Sequence, residues 1–259
     1  MPLRLFDCLE EVGRRIDREP ARLLGLDFDG TLAPLTEDPA QAALSMPMRR
    51  VLRALAERET LPVAILSGRD RADLQARVGI PGLIYAGNHG LEISGPGFIF
   101  IEPTAAECRE ELQQLASDLS ARLQPITGAV VEDKGLTLSV HDRLVSNGEA
   151  EDVRRIVHTA LANASHPFML TTGDRVYEIR PRANWSRGDA VSWIKTQLGR
   201  PEALVIYLGH NATDEDVFAQ HAAGITVKVD GRSETVAHYV VDGPDDVRKF
   251  LDWLAERTR

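Results

Sequence analysis

The stretch that most constrains this chain runs from Ala21 to Pro34, ARLLGLDFDGTLAP. An apolar run (Leu23, Leu24, Gly25, Leu26) leads directly into Asp27, Phe28, Asp29, Gly30 and Thr31. A short apolar run closed by a turn signal reads as a buried strand of a parallel sheet. The two aspartates then fall at its carboxyl end, where open α/β sheets bind their ligands. One residue separates them, so in a continuing strand both carboxylates face the same side. Two carboxylates so placed repel each other and call for a cation or a shared proton. A plain strand with an Asp-Gly turn accounts for Asp29-Gly30 but leaves Asp27 unexplained.

With 259 residues the chain can bury a real core as one large domain or two small ones. Its net charge of -9 is spread through mixed acidic and basic residues. That speaks against a nucleic-acid or anionic-membrane partner and leaves room for a phosphorylated small molecule, which needs only local positive charge. Cys8 and Cys108 lack metal-ligand spacing and are expected as buried, unreactive thiols in a reducing compartment. The opening MPLRLFDCLEEVGRRI lacks the long apolar stretch of a signal peptide, and no segment approaches a membrane span. The expected location is the cytoplasm.

Leu3, Leu5, Cys8, Leu9 and Val12 would line one face of an opening helix. After the Asp27 strand come a Pro-framed loop (PLTEDP), an amphipathic helix near 46–58 with Pro47 in its first turn, and the buried strand LPVAIL. Ser67-Gly68-Arg69 ends that strand, the helix DRADLQARV stops at Gly79, and a short strand at 83–85 leads into AGNHGLEI. Helix and strand alternate as in a parallel α/β sheet. After about Pro103 the pattern changes to a polar helix (roughly 104–123), a hairpin through Lys134-Gly135, a helix (about 149–163) and a hairpin around Gly173-Asp174. This α+β unit is read as inserted, because the α/β rhythm resumes with SRGDAVSWIKTQL, ALVIYLG, ATDEDVFAQHAA, GITVKV and a C-terminal helix.

The strand ends carry the chemistry. Asp27, Asp29 and Thr31 follow the first long strand, and Ser67 follows the second, where a hydroxyl near a helix start suits a phosphate oxygen. Arg187 opens the returning helix, and His210, Asn211, Thr213, Asp214 and Asp216 follow the fourth long strand. The arrangement resembles the haloacid-dehalogenase-like phosphotransferases, with DFDGT as first motif and SGR as second. DFDGTLAPLTEDP, ILSGRD, AGNHGLEI, VEDKGLTLSVHDR, VYEIRP and TDEDVF are together similar to the trehalose-6-phosphate phosphatase family. The resemblance implies a Rossmann-like α/β core of residues 1–103 and 183–259, with an α+β cap, residues 104–182, that closes over the sugar. The cap would swing on connections near 102–104 and 181–184.

It also implies roles. Asp27 would attack phosphorus and Asp29 would act as acid and then base. Thr31, Ser67 and Arg187 would hold the phosphate. Asn88, His89, Glu132, Lys134, Arg143, Glu178 and Arg180 are candidates for contacting a phosphorylated disaccharide. Mg²⁺ would be held by Asp27, the Asp29 carbonyl, Asn211, Asp214 and His210, with Mn²⁺ or Co²⁺ as alternatives.

Two positions depart from the family pattern. Arg187-Gly188 stands where a lysine is usual; arginine keeps the charge but is longer, planar and differently aimed. His210-Asn211 stands where two aspartates are usual, which removes charge and hardness from a magnesium site. These departures keep two other readings open: a sugar-phosphate-binding regulatory relative, and a phosphatase for sucrose 6-phosphate or a glycosyl phosphoglycerate. A monomer is expected.

Overall fold

The structure is a computed structural model that describes residues 2–36, 38–173, 175–231 and 234–258. The chain opens with a two-residue strand, β1 (Leu3–Arg4), a 3₁₀ turn over Leu5–Cys8 and helix α1 (Leu9–Arg18). The helix expected from Leu3 onward therefore starts six residues late. Leu3 and Arg4 instead pair in parallel with Tyr239 and Val240, which satisfies backbone groups at the edge of a sheet. Next come β2 (Arg22–Asp27), α2 (Met46–Ala56), β3 (Val63–Leu66), α3 (Arg71–Val78), β4 (Ile84–Gly87), β5 (Glu92–Gly95) and β6 (Phe98–Ile101).

The chain then forms α4 (Pro103–Glu107), α5 (Arg109–Leu123), β7 (Val130–Asp133), β8 (Leu138–His141), α6 (Ala150–Ala162), β9 (Phe168–Gly173) and β10 (Val176–Pro181). The single helix expected over 104–123 is divided at Cys108. In the second hairpin, Asp174 lies outside the described residues, while the strands on either side pair antiparallel. The return comprises α7 (Arg187–Gln197), β11 (Leu204–Gly209), a 3₁₀ turn over Ala212–Asp214, α8 (Glu215–Gln220), β12 (Ile225–Val229), β13 (Tyr239–Val241) and α9 (Pro244–Arg257).

Two compact units result. One holds the described residues up to Phe100 and from Trp185 onward; the other spans Ile101–Asn184. The first is built on a nine-stranded sheet in the order β1-β13-β12-β11-β2-β3-β4-β5-β6. Every pairing from β1 to β4 is parallel, and β5 joins β4 antiparallel. The sheet is covered on both faces, which is why its strands read as continuous apolar runs. Leu24, Leu26, Ile65, Ile206 and Leu208 enter one core with α1, α2 and α9. Leu23, Ala64, Leu66, Val205 and Tyr207 enter the other, with Val191 and Ile194 of α7. By alternation, Gly25 and Asp27 belong to this second face.

The second unit has an antiparallel sheet in the order β7-β8-β10-β9. Leu112, Leu115, Leu119 and Leu123 form the i, i+3, i+4 stripe of α5, which packs with Val153 and Val157 of α6 over Leu138, Val140, Tyr177 and Ile179. Cys108 is buried and Cys8 only half-buried, against the expectation of two buried thiols; both are free. Among the described residues no helix is long and apolar enough to cross a membrane.

Leu26 is fully buried at the centre of the first core. Leu26→Ala should lower unfolding stability by about 2–5 kcal/mol. A urea titration that moves the midpoint down at unchanged slope checks it.

Candidate active site

β2 ends at Asp27, whose side chain is only 1% exposed. The chain then turns sharply: Leu32 and Ala33 both donate their backbone N–H to the Phe28 carbonyl, at 2.9 and 3.0 Å. Gly30 has φ +81°, a conformation that favours glycine, and a Cβ there would lie 2.5 Å from His210 Cδ2. The turn thus leaves the strand direction after Asp27 and seats the His210 ring against Gly30.

Three side chains from three parts of the fold donate to the Asp27 carboxylate. Thr31 Oγ1 donates to Oδ2 at 3.0 Å, Arg187 Nη1 to Oδ1 at 2.8 Å, and Asn211 Nδ2 lies 3.3 Å from both oxygens. A carboxylate only accepts, so Asn211 presents its NH₂ and not its carbonyl to Asp27. Arg187 Nη1 also donates to Asp214 Oδ1 at 2.5 Å, and Asp214 takes further bonds from Tyr207 Oη (2.7 Å) and the Asn211 N–H (2.8 Å). Arg187 and Asp214 are 2% and 0% exposed. The Arg187 Nε is buried with no acceptor. An orphaned buried guanidinium N–H is costly unless an anion meets it.

Arg187 sits at the first turn of α7, where Ser186 and Asp189 close a capping box. The arginine at the motif position thus reaches the Asp27 carboxylate.

Burial pushes the Asp27 carboxyl from 3.8 up to about 7, reinforced by the charge of Asp214 and opposed by Arg187. Arg187 is held well above the ordinary arginine value: burial disfavours its charge, but Asp214 and then Asp27 outweigh it. Burial, then Asp214, also raises the Tyr207 phenol far above its usual range, so it remains a donor.

Asp29 has a different partner. Arg69 grips it with two parallel bonds, Nε to Oδ2 at 2.9 Å and Nη2 to Oδ1 at 2.8 Å. The guanidinium lies 5.6 Å from the Phe28 ring centroid and also donates to Asp73 (3.0 Å) and the Pro39 carbonyl (2.8 Å). Both Asp29 oxygens are therefore occupied by Arg69. Ser67 is fully buried; its Oγ accepts the Arg69 N–H at 3.1 Å and lies 3.5 Å from Asp29 Oδ2. Asn88 and His89 follow β4 in left-handed backbone conformations and donate their N–H groups to the Arg69 and Ser67 carbonyls at 2.7 and 2.9 Å.

The remaining sequence-predicted residues belong to the second unit. Glu132 on β7 and Glu178 on β10 are both register partners of Ser139 on β8, so they share a face, and Arg180 joins them by alternation. This is the polar face; Tyr177 and Ile179 occupy the buried one. Glu132 pairs with His141 Nε2 at 2.9 Å, and Lys134 Nζ is 3.8 Å from Glu132. Arg143 lies in the exposed loop after β8.

The donor set gives a restricted account of a divalent cation. Among the described residues no group of three or more His, Cys, Asp or Glu could hold one. Asp214 is committed to Arg187, Tyr207 and the Asn211 N–H, and Asn211 turns its NH₂ to Asp27. Asp27 is engaged as well, by Thr31, Arg187 and Asn211, and would serve an ion only on releasing one of these donors; the Asp29 carbonyl and His210 are the other donors left. Nδ1 of His210 lies 3.2 Å from the Val229 carbonyl, which only accepts, so the ring's lone pair is on Nε2. A set with one carboxylate and one imidazole fits a nitrogen-accepting ion such as Mn²⁺ or Co²⁺ better than Mg²⁺.

Two residues to which the sequence reading gave no role of their own join the site: Arg69, named there only within the SGR motif, and Lys228 on β12. Lys228 is 3% exposed; Nζ donates to the His210 carbonyl at 2.7 Å and lies 3.4 Å from Glu215. A lone lysine inside the apolar run GITVKV was the available signal. It borders a cleft of about 470 Å³ that is also lined by His210, Asn211 and Glu215.

Because native Asp27 holds its proton up to about 7 and the unfolded chain releases it near 3.8, the native state binds the extra proton between these values. The associated stability is complete below the unfolded value and is lost as pH rises through about 7. In chelator-treated protein, Asp27→Asn should flatten the fall in melting temperature between pH 6 and pH 8, measured by calorimetry.

The trehalose-phosphatase family model matches residues 25–244. The trehalose-phosphate phosphatase of Mycobacterium tuberculosis is 38% identical over 268 residues, covering 99% of this chain and 67% of that protein. The chain thus spans about two thirds of the length of that relative. The C-terminal domain of the Candida albicans trehalose-6-phosphate phosphatase superposes with a TM-score of 0.80 at 21% identity, covering 99% of this chain and 98% of that one. A haloacid dehalogenase-like hydrolase from Bacteroides thetaiotaomicron gives a TM-score of 0.63 at 16% identity, covering 90% and 99%. These two likenesses concern the fold. The α/β core shares its fold with that haloacid dehalogenase-like hydrolase, and the family model and the mycobacterial relative together carry the conclusion: the chain belongs to the trehalose-phosphatase family.

Proposed function

We propose that the chain hydrolyses trehalose 6-phosphate to trehalose and inorganic phosphate through a phosphoryl-aspartate on Asp27. The observation that carries this reading is the buried Asp27, met by Thr31, Arg187 and Asn211, beside an Arg187 Nε that lacks an acceptor. A phosphate oxygen would satisfy that donor. Family membership supports the sugar phosphate as substrate.

In the proposed reaction Asp27 attacks phosphorus, the bond from phosphorus to the sugar oxygen breaks, and Asp29 gives that oxygen a proton. Water then attacks phosphorus, its proton goes to Asp29, and the bond to Asp27 breaks. Arg187 steadies the charge of the transferring group, and Thr31 and Asn211 orient the nucleophile. Since Arg69 holds both Asp29 oxygens, the acid–base group works by leaving this clasp and returning to it. A divalent ion, when held by Asp27, the Asp29 carbonyl and His210, supplies neutralisation of the phosphate charge. In the second unit, Glu132, Glu178 and Arg180 on one sheet face are assigned to sugar hydroxyls, which both donate and accept.

A second reading, a sugar-phosphate-binding relative with little turnover, is favoured by one feature: His210 and Asn211 supply no carboxylate where a metal would need one. Phosphate release from trehalose 6-phosphate, measured with Mg²⁺, Mn²⁺, Co²⁺ and chelator, separates the two. Turnover should be greater with Mn²⁺ or Co²⁺ than with Mg²⁺ and fall to background in Asp27→Asn. His210→Asp should move the preference toward Mg²⁺. A strict Mg²⁺ preference in the unaltered protein would contradict the metal assignment. No release from folded protein that still binds the sugar phosphate would select the regulatory reading.

A further inference from the structure

Tyr207 is fully buried in the middle of β11, yet its hydroxyl ends at the site. Its register partner on β2 is Gly25, two residues before Asp27 on the same face. A Cβ at Gly25 would lie 2.5 Å from Tyr207 Cδ2, so the ring occupies the space a side chain would fill. The Phe218 ring meets it edge-on at 5.9 Å. With the ring so confined, the hydroxyl reaches one acceptor, Asp214 Oδ1, at 2.7 Å.

Both oxygens of Asp214 are consequently pinned: Oδ2 by the Asn211 N–H and Oδ1 by Tyr207. The same Oδ1 accepts from Arg187 Nη1, which also serves Asp27. Two carboxylates therefore compete for one nitrogen. The phenol O–H takes up part of the negative charge on Asp214 Oδ1 and limits how far the guanidinium is drawn to that side. Both acceptors lie on Nη1, which leaves Nε without a protein partner.

We propose that Tyr207 is a positioning residue for phosphate binding: through Asp214 it fixes the Arg187 guanidinium with Nη1 on the two carboxylates and with Nε, buried and without a protein acceptor, left for an anion. This rests on the phosphatase reading of the site. It adds a residue that acts through two intermediaries and touches neither the substrate nor the nucleophile.

The test is Tyr207→Phe, which keeps the ring that fills the space beside Gly25. Calorimetry with inorganic phosphate should show affinity weakened roughly 3- to 10-fold, the scale of one hydrogen bond. The KM for trehalose 6-phosphate should rise by a similar factor and kcat change less. In an Arg187→Lys background, where the ammonium has no second planar edge, adding Tyr207→Phe should weaken phosphate binding less than twofold. Unchanged phosphate affinity in Tyr207→Phe, or an equal loss in both backgrounds, overturns the inference while leaving the phosphatase reading intact. If the unaltered protein neither binds inorganic phosphate nor releases it from trehalose 6-phosphate, the site reading falls and this inference with it. A lowered melting temperature with unchanged phosphate affinity would make Tyr207 purely structural.

Discussion

One nitrogen, Nη1 of Arg187, carries the electrostatics of this molecule's chemical centre. It lies within hydrogen-bonding distance of Asp27 and Asp214, and all three side chains are almost fully removed from solvent. Burying a single carboxylate without a partner would cost several kcal/mol, and two side by side would repel each other as well. A guanidinium between them makes the burial tolerable but leaves two acidic groups on one cation. The residual imbalance is visible in Asp27, whose proton is held far more tightly than that of an ordinary aspartate. An aspartate kept in this state becomes an anion only when further positive charge, or a higher pH, draws the proton away.

The same triad explains how helices and strands far apart in sequence come to depend on one another. β2 supplies Asp27, the first turn of α7 supplies Arg187, and the turn after β11 supplies Asp214. β11 and β2 are direct neighbours in the sheet, paired from Leu204 to Leu208. The crossover that places a late strand beside an early one therefore creates the site. Lys228, one strand further out, holds the His210 carbonyl and so supports the turn that bears Asn211. The buried lysine and its ion pair with Glu215 tie that turn to α8 and, through the Val236 N–H, to the loop before β13.

Much of this was legible in the amino-acid order. The parallel strands could be read because burial on both faces leaves an uninterrupted apolar run; the aspartates, Thr31, Ser67 and His210 could be located because they stand where those runs stop, and Arg187 because it opens the returning helix. Short elements were less legible. Leu3–Arg4 has helical spacing with the residues after it but becomes an edge strand, because an unpaired edge at Tyr239–Val240 offers it hydrogen bonds. FIFI at 98–101 forms a strand with its residues alternating in exposure, although its unbroken apolar character hides that alternation. Tyr207 and Lys228 sit inside apparently ordinary strands, and their roles follow from which strand lies next to which. That order is a property of the whole sheet. Asn211 could be placed at the site from sequence, but the direction of its amide depends on the anion it meets.

The clasp on Asp29 reaches well beyond the sheet's end. Arg69 is a rigid planar fork that also holds Asp73 on α3 and the Pro39 carbonyl, and Arg77 binds Asp73 together with the Ala40 and Ala42 carbonyls. The loop around Pro39–Ala42, helix α3 and the Asp29 carboxylate are therefore mechanically in series. A displacement of that outer loop turns the plane in which Asp29 rests. A surface segment with no obvious duty is in this sense one end of a hydrogen-bonded chain whose other end is Asp29.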